Sequence, residues 1–577
     1  MSDNLASPSS HPPSKVAFVL VGALAMSYGW GFRGDYGHEA GAMVPGALLG
    51  MALCLCSGRE DWIRRTAIAG WLGAIGWGIG GQVSYGMIPS YTISDSFPDV
   101  LYGYSCLFLV GALWGGIGAA ILSFAWTKSQ KELATFIGPT FALGSLWCLI
   151  GALFWIPEHV HETYSLAPLD RLTAAGESPP IWLSIVALLE RFSQSLNSFT
   201  VSKMHDIDWL GAMTALSVAG LYAAFSKRSR KACGLIAILA IGWWVGYLIL
   251  VRLFDLHMQP KPGGTQRSDN WAGMAGLLVA LVGWMWREQD RVGLLLSRYG
   301  FIGGGIGFSV GDFINKPDKI RWEPIYQFEF LRGFDHWKWT EQGFGLIMGA
   351  IVSLGVLHLL KSSLEPTKEE AASGGFMTTN EFSVIGLLGV TLWWNFYHNP
   401  GTYFEHGRIA KDTLFGMKAP DWLFLFGFLY LGLLIHLMLR NRRADLPFLP
   451  SSWQGRGQLL FLFYLWVTVV AVVSKSWPLM SHGALFVHGS FCITALACTW
   501  IVLTQPAAPT DASRNIGPVQ DREWRSSPLR LTIGATGCIV LLLVLTMATM
   551  SMQEGPGDGF RYRFGPNADH LREINQP

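Results

Sequence analysis

The sequence predicts an all-α protein: a polytopic transmembrane helix bundle of about 15 helices, with a parallel internal duplication of about four of them. Three observations carry this. Apolar runs of about 20 residues, the length that a hydrocarbon core of roughly 30 Å requires, recur along the chain. Charges are sparse, 14% Asp, Glu, Lys and Arg against 51% hydrophobic residues, and they cluster between those runs; a soluble protein averages about 25% charged. Glycine and tryptophan are abundant, at 67 and 26. Glycine lets helix backbones approach closely in lipid, and tryptophan favours the membrane interfaces.

The runs divide the chain as follows. A polar tail occupies 1–15. A first unit, 16–156, holds Val16–Gly31, His38–Cys56, Thr66–Met87, Tyr102–Trp126 and Ala134–Ile156. Lys15 and Ala23-Leu24-Ala25 imitate a signal peptide with its cleavage site, but the apolar run continues through Met26 to Phe32, so the first helix is expected to be retained. An extracytoplasmic loop covers 157–206. Within it, Ile181–Thr200 spaces Trp182, Ile185, Leu189, Phe192, Leu196 and Phe199 near the helical period, with Glu190 and Arg191 at its middle. That pattern predicts an interfacial helix rather than a span; a crossing there would invert all later orientations. The unit 207–360 holds Ile207–Phe225, Ala232–Phe254, Trp271–Trp286, Val292–Ile314 and Glu341–Leu360. A cytoplasmic linker, 361–381, precedes the C-terminal helices, 382–550, with runs Phe382–Tyr397, Asp421–Leu439, Gly457–Ser474, Ala484–Leu503 and Leu529–Met550. A polar tail, 551–577, ends the chain.

Every second connection is basic. Arg59, Arg64 and Arg65 follow the second helix, Lys128 and Lys131 the fourth, Lys227, Arg228, Arg230 and Lys231 the sixth, and Arg440, Arg442 and Arg443 the twelfth. Cytoplasmic loops carry such an excess, which predicts an integral protein of a bacterial cytoplasmic membrane with its N-terminus inside and its C-terminus outside. The 315–339 connection departs from the rule, with Lys316, Lys319, Arg321, Arg332 and Lys338 on the outer side.

The duplication rests on short matches. Phe32-Arg33-Gly34-Asp35-Tyr36 and Ala40-Gly41-Ala42-Met43 answer Gln266-Arg267-Ser268-Asp269-Asn270 and Ala272-Gly273-Met274-Ala275. Gly78-Ile79-Gly80 answers Gly305-Ile306-Gly307, Val110-Gly111-Ala112 answers Met348-Gly349-Ala350, and the offsets stay within roughly 227–238 residues. Helices 1–4 would then recur as helices 7–10 in the same orientation, an arrangement found in transporters.

With this topology the polar residues gather at the outer face. The candidate binding residues are Arg33, Asp35, His38 and Glu39 in the first outer turn, Gln82 at the end of helix 3, and Arg267, Asp269 and Asn270 before helix 8. Asp312 at the end of helix 9, Glu341 at the start of helix 10, and Asn395, His398, Glu405 and His406 after helix 11 complete them. Ionisable residues at the membrane default to function. Arginine offers a planar fork for a carboxylate or phosphate, and Asp35 and Asp269 are placed to orient the two forks. The plainer reading is an Arg33–Asp35 ion pair tying a tight turn, with Gly29, Gly31, Gly34 and Gly37 supplying unusual backbone angles.

Several chemistries are not indicated. A net charge of +2 with no basic stripe argues against nucleic acid as a partner. The eight cysteines sit in or beside apolar runs and read as small hydrophobes, with no zinc-type pair. Glu158-His159-Val160-His161-Glu162 could present alternating metal ligands on an extended strand, but a solvated loop suits it better, so no metal is expected. Gly76–Gly81 and Gly303–Gly307 lack the Lys-Ser/Thr of a phosphate loop, and no cofactor is expected. The partners expected are the lipid bilayer and a small polar or lipid-linked substrate. Two functions follow: a transporter or permease for a small polar solute, anions among the candidates, or a membrane-embedded transferase acting on a lipid-linked sugar or acyl donor at the outer face. The sequence leaves open whether the protein is an enzyme.

Overall fold

The computed structural model describes residues 14–36, 39–164, 208–259, 268–328, 336–361, 377–392, 419–443, 446–476, 482–505, 528–553 and 562–564, with a few isolated positions. Among these residues the regular structure is entirely helical. The long helices are α1 (Lys15–Tyr36), α2 (Glu39–Leu55), α3 (Thr66–Gly80), α4 (Phe97–Thr127), α5 (Gln130–Tyr164), α6 (Asp208–Phe225), α7 (Arg230–Tyr247), α8 (Asn270–Arg287), α9 (Arg291–Ile314) and α10 (His336–Lys361). They continue with α11 (Thr379–Val384), α12 (Ala419–Asn441), α13 (Trp453–Ser476), α14 (His482–Leu503) and α15 (Pro528–Met552). Helices α7 and α11 run on into π-helical turns, Leu248–Leu253 and Ile385–Leu392. Seven of the described helices are long and apolar enough to cross a membrane, and shorter apolar helices accompany them.

The chain forms two compact units, one of Met1–Lys131 with Met285–Pro577 and one of Glu132–Trp284. This division passes through the predicted 207–360 unit.

In the first unit six helices close a ring, each packing on the next in the order α1, α2, α3, α4, α9, α10 and back to α1. Small residues permit the closeness. Gly111 and Gly115 on α4 meet Gly304 and Gly300 on α9 backbone to backbone, and a Cβ on Gly304 would stand 1.9 Å from the Gly111 carbonyl oxygen. Gly46 meets Gly73 between α2 and α3, and Gly345 meets the Met26 carbonyl between α10 and α1. In lipid, where apolar side chains gain little by leaving their surroundings, such backbone approach supplies much of the packing attraction.

One end of this unit is basic. Arg65 is fully buried and donates to the carbonyls of Ala125 (2.9 Å) and Lys128 (2.7 Å), satisfying acceptors that the end of α4 leaves open. Asp290 caps α9 by accepting from the Gly293 N–H at 2.9 Å, and Lys128 Nζ lies 3.1 Å from its other oxygen. Arg59 clasps Asp61, Arg64 clasps Glu60, and Arg442 pairs with Glu381.

The second unit is built from α5 to α8. Helices α6 and α7 pack together, and Gly242 and Gly246 of α7 face Gly276 and Ala272 of α8.

Three local expectations change. Helix α1 runs to Tyr36, so Gly29, Gly31 and Gly34 lie inside a helix; Gly29 meets Pro45 and Gly31 meets Phe491. They are contact glycines and not turn glycines. Helix α3 ends at Gly80, not Met87, and the chain from 81 to 96 folds back with Val83, Ile88, Tyr91 and Thr92 fully buried. Helix α5 continues to Tyr164, so Glu158–Glu162 is helical. Residues two apart on a helix differ by about 200° in direction, so His159 and His161 do not share a face. The predicted interfacial segment Ile181–Thr200 lies, isolated positions aside, outside the described residues.

Candidate functional site

The polar end of the first unit's ring is assembled from four helices and the 81–96 segment. Helical spacing sets each face: Trp30 and Arg33 on α1, Glu341 and Phe344 on α10, and Phe308 and Asp312 on α9 are three or four residues apart, so each pair points the same way. The inward-folded segment delivers Tyr85.

These side chains meet in the interior. Arg33 Nη1 donates to Glu341 Oε1 at 2.9 Å and to the Tyr85 hydroxyl at 3.1 Å, and that hydroxyl donates to the same carboxylate oxygen at 2.8 Å. Both members of the ion pair are buried, at 4% and 5% side-chain exposure. Room for the carboxylate comes from Gly34, where a Cβ would stand 2.5 Å from Glu341 Oε2. The guanidinium lies over three rings, 5.0 Å from the Trp114 centroid, 5.2 Å from Tyr85 and 5.8 Å from Trp30. Trp30 stacks on Trp114 at 4.7 Å, and Phe308 and Phe344 close the wall, 4.9 Å apart. Desolvated cation–π contacts are worth about 2 kcal/mol or more.

A second buried pair lies at the same end. Asp312 Oδ2 takes Lys316 Nζ at 2.8 Å and the Thr92 hydroxyl at 2.9 Å. Burial pulls the Lys316 ammonium below the usual lysine value, and Asp312 opposes that.

In the second unit, His257 Nδ1 lies 2.6 Å from Asp269 Oδ2 and its Nε2 3.0 Å from Asp255 Oδ1. The hydrogen bond to the Asp269 carboxylate raises the imidazole above its ordinary value, against burial. Asn270 Oδ1 accepts from Trp243 Nε1 at 2.8 Å.

Of the predicted residues, the structure brings Arg33 and Glu341 into contact, with Asp312 one turn from Phe308 and Gln82 half-buried in the 81–96 segment. Asp269 and Asn270 lie in the second unit with His257 and Trp243. Sequence spacing offered Asp35 as the group orienting Arg33, and its side chain lies outside the described ones; a carboxylate that spacing did not offer as a partner, that of Glu341, 308 positions away, meets Arg33. Likewise Asp269 engages a histidine. Helix backbone is described at Asp35 and Glu39 but their side chains are not, and His38, Arg267, Asn395, His398, Glu405 and His406 fall outside the described residues.

Tyr85, Thr92, Lys316 and His257 were not among the candidates. Lys316 carried a signal, as a lysine on the side where basic residues are unexpected; being 1% exposed, it is a buried partner and no loop charge. Tyr85 carried a weaker one, as a polar residue near Gln82 at the expected outer end of helix 3, but an apolar run of that length reads as continuous helix and does not show that the chain turns inward. Among the described residues no group of three or more His, Cys, Asp or Glu could hold a metal ion. No protein-family model matches the chain, and no solved structure matches its fold.

Proposed function

We propose that the protein is a multi-pass transporter or permease for a small polar solute, with Arg33, Tyr85 and Glu341 as its recognition and gating group. The buried Arg33–Glu341 pair inside a ring of apolar helices carries this reading. A buried ion pair is a weak source of stability, because desolvation offsets most of the attraction. Its retention among apolar helices therefore argues for a task. The guanidinium is held between a carboxylate and three aromatic faces, so an anionic or carboxylate-bearing solute can replace Glu341 as its partner. Arg33 stands eighteen residues along α1, about 27 Å from its start at 1.5 Å per residue. It therefore belongs near the mouth of the ring, and its head group reaches inward to Trp114.

The orientation proposed is that of the basic loops, with Arg59, Arg64, Lys128 and Arg442 at the cytoplasmic face and the Arg33–Glu341 pair toward the exterior. All fifteen long helices are read as crossings. The duplication is favoured by matched contacts: Gly76 meets Gly118 and Gly80 meets Trp114, and 227 residues on, Gly303 meets Ile351 and Gly307 meets Phe344. The orientation is tested by cysteine labelling in whole cells, in a cysteine-free background. Asp95→Cys is expected to react with an impermeant maleimide from outside and Lys131→Cys only after permeabilisation; the reverse result inverts the topology.

The transport reading is tested by counterflow in proteoliposomes across a panel of carboxylates, amino acids and sugars. Uptake by wild type that is lost in Glu341→Gln supports it. No counterflow for any solute, with folded protein, removes it. A transferase acting on a lipid-linked donor is favoured by one observation, that Arg33 and Lys316 offer two cations at one end of the unit. It predicts an altered envelope glycan or lipid in a deletion strain, restored by wild type and not by Arg33→Ala.

A further inference from the structure

The oxygens around Lys316 form a second, separate constellation. Lys316 Nζ lies 2.8 Å from Asp312 Oδ2 and 3.5 Å from the carbonyl oxygen of Pro89. The Thr92 hydroxyl binds both of those oxygens, at 2.9 Å and 2.8 Å. A carboxylate and a carbonyl oxygen thus hold one ammonium that is 1% exposed, and the Thr92 hydroxyl ties those two oxygens together.

We propose that Asp312, Thr92 and the Pro89 carbonyl form a monovalent-cation site, which the Lys316 ammonium occupies here as a built-in competitor.

Four features support this. The donor set is all oxygen, the preference of hard cations. One carboxylate supplies one negative charge, which matches a monovalent ion rather than a divalent one. The site lies at the C-terminal end of α9, where the helix dipole favours positive charge. Finally, the ammonium fills the site poorly. It makes one hydrogen bond of normal length, although it has three donors. Asp312 Oδ1, and both Oδ1 and Nδ2 of Asn315, from residues 0% and 1% exposed, have no hydrogen-bond partner among the described atoms; the two oxygens are the acceptors an ion could use. Buried acceptors are rarely left open, and a spherical ion can draw on oxygens that a tethered ammonium does not reach.

The broken backbone between α3 and α4 fits the same use. Interrupted chain at membrane depth is tolerated where it is buried in protein or lines a polar space, and here its single helical turn, Ile88–Tyr91, presents the Pro89 carbonyl to the ammonium. Entry of an external cation releases Lys316 from Asp312 and leaves Asp312 neutralised by the ion. A competing side chain lowers apparent affinity by the fraction of molecules in which it has left the site, so wild type binds weakly. In a transporter such a site would take a coupling ion, and that use rests on the reading above; the site itself does not.

The test uses the full-length protein in detergent, with thermal unfolding followed in sodium, potassium or choline chloride at equal ionic strength. A bound ion raises the melting temperature with its concentration. Lys316→Ala is expected to melt at a temperature that climbs and saturates with sodium or potassium but not with choline. Sodium-22 dialysis is expected to show near-stoichiometric binding to it, about tenfold or more tighter than to wild type. Adding Asp312→Asn to Lys316→Ala is expected to abolish both signals. A folded Lys316→Ala protein with no cation-specific response overturns the proposal, as does a response that survives loss of Asp312. Should Lys316→Ala not fold, Lys316→Met keeps the stem's volume and serves instead. If neither folds, sodium-22 binding to wild type decides: binding lost in Asp312→Asn supports the site, and no binding overturns it. Binding in detergent needs no flux, so this result and solute counterflow can fail separately.

Discussion

Arg33 and Glu341 are separated by 308 positions in the chain, yet their side chains meet at 2.9 Å, each almost wholly buried. The contact ties the last full turn of α1 to the first turns of α10 and closes the ring at its polar end. Tyr85 bonds to both members, so three remote segments share one small network.

Removing either partner takes a buried, charge-assisted hydrogen bond from the other. Arg33→Ala or Glu341→Ala is expected to cost about 3–5 kcal/mol, the usual penalty for breaking a buried ion pair from one side. Replacing both at once, Arg33→Met with Glu341→Leu, is expected to recover most of that stability while leaving the protein unable to bind solute. Thermal unfolding of the four proteins in detergent, with counterflow measured in parallel, separates structure from recognition. A double variant that keeps full transport would deny the pair its role.

The α4–α9 seam is expected to be intolerant of volume. A methyl on Gly304 would stand 1.9 Å from the Gly111 carbonyl oxygen, backbone that cannot step aside. Gly304→Ala is therefore expected to destabilise by about 1–3 kcal/mol or more through overpacking. On α12, Gly432 has nothing within 4 Å of a built Cβ, so Gly432→Ala is expected to be neutral or to gain up to about 1 kcal/mol of helix propensity. Melting temperatures of the two variants check the contrast.

His257 makes the second unit pH-dependent. Its folded value is raised above the ordinary 6.5, first by the hydrogen bond to Asp269. A raised value means that the imidazolium's contribution is complete below pH 6.5 and fades as pH climbs through the raised value. Hydrogen exchange of the 254–259 backbone is expected to quicken over that window, and His257→Gln to flatten the response. Exchange that slows with rising pH, after correction for intrinsic rate, would contradict the assignment.

The segment 562–564 is anchored on α4. The Asp99 carboxylate accepts the backbone N–H groups of Arg563 and Phe564, and Tyr562 donates to Asp95 at 3.0 Å. Asp99→Ala is expected to release it, seen as faster proteolytic trimming at the C-terminus with the melting temperature little changed. Unaltered trimming would mean that the edge-to-face contact of Phe564 with Tyr102 suffices.

The sequence by itself determined the broad architecture: apolar runs of spanning length, and basic residues in alternate connections. These are local quantities, set run by run by the transfer of side chains and backbone into lipid. Arg33, Asp312 and Glu341 stood out for the same reason, as ionisable groups beside apolar runs. The tertiary structure decided their partners. Glu341, 308 positions away in the chain, meets Arg33 because glycine-lined seams bring α1 and α10 together and Gly34 leaves space for a carboxylate. It also decided that an apolar stretch after Gly80 folds inward, so that Tyr85 and Thr92 reach buried ion pairs. Hydropathy does not distinguish a residue facing lipid from one facing the interior of a ring; only the packing of several helices does.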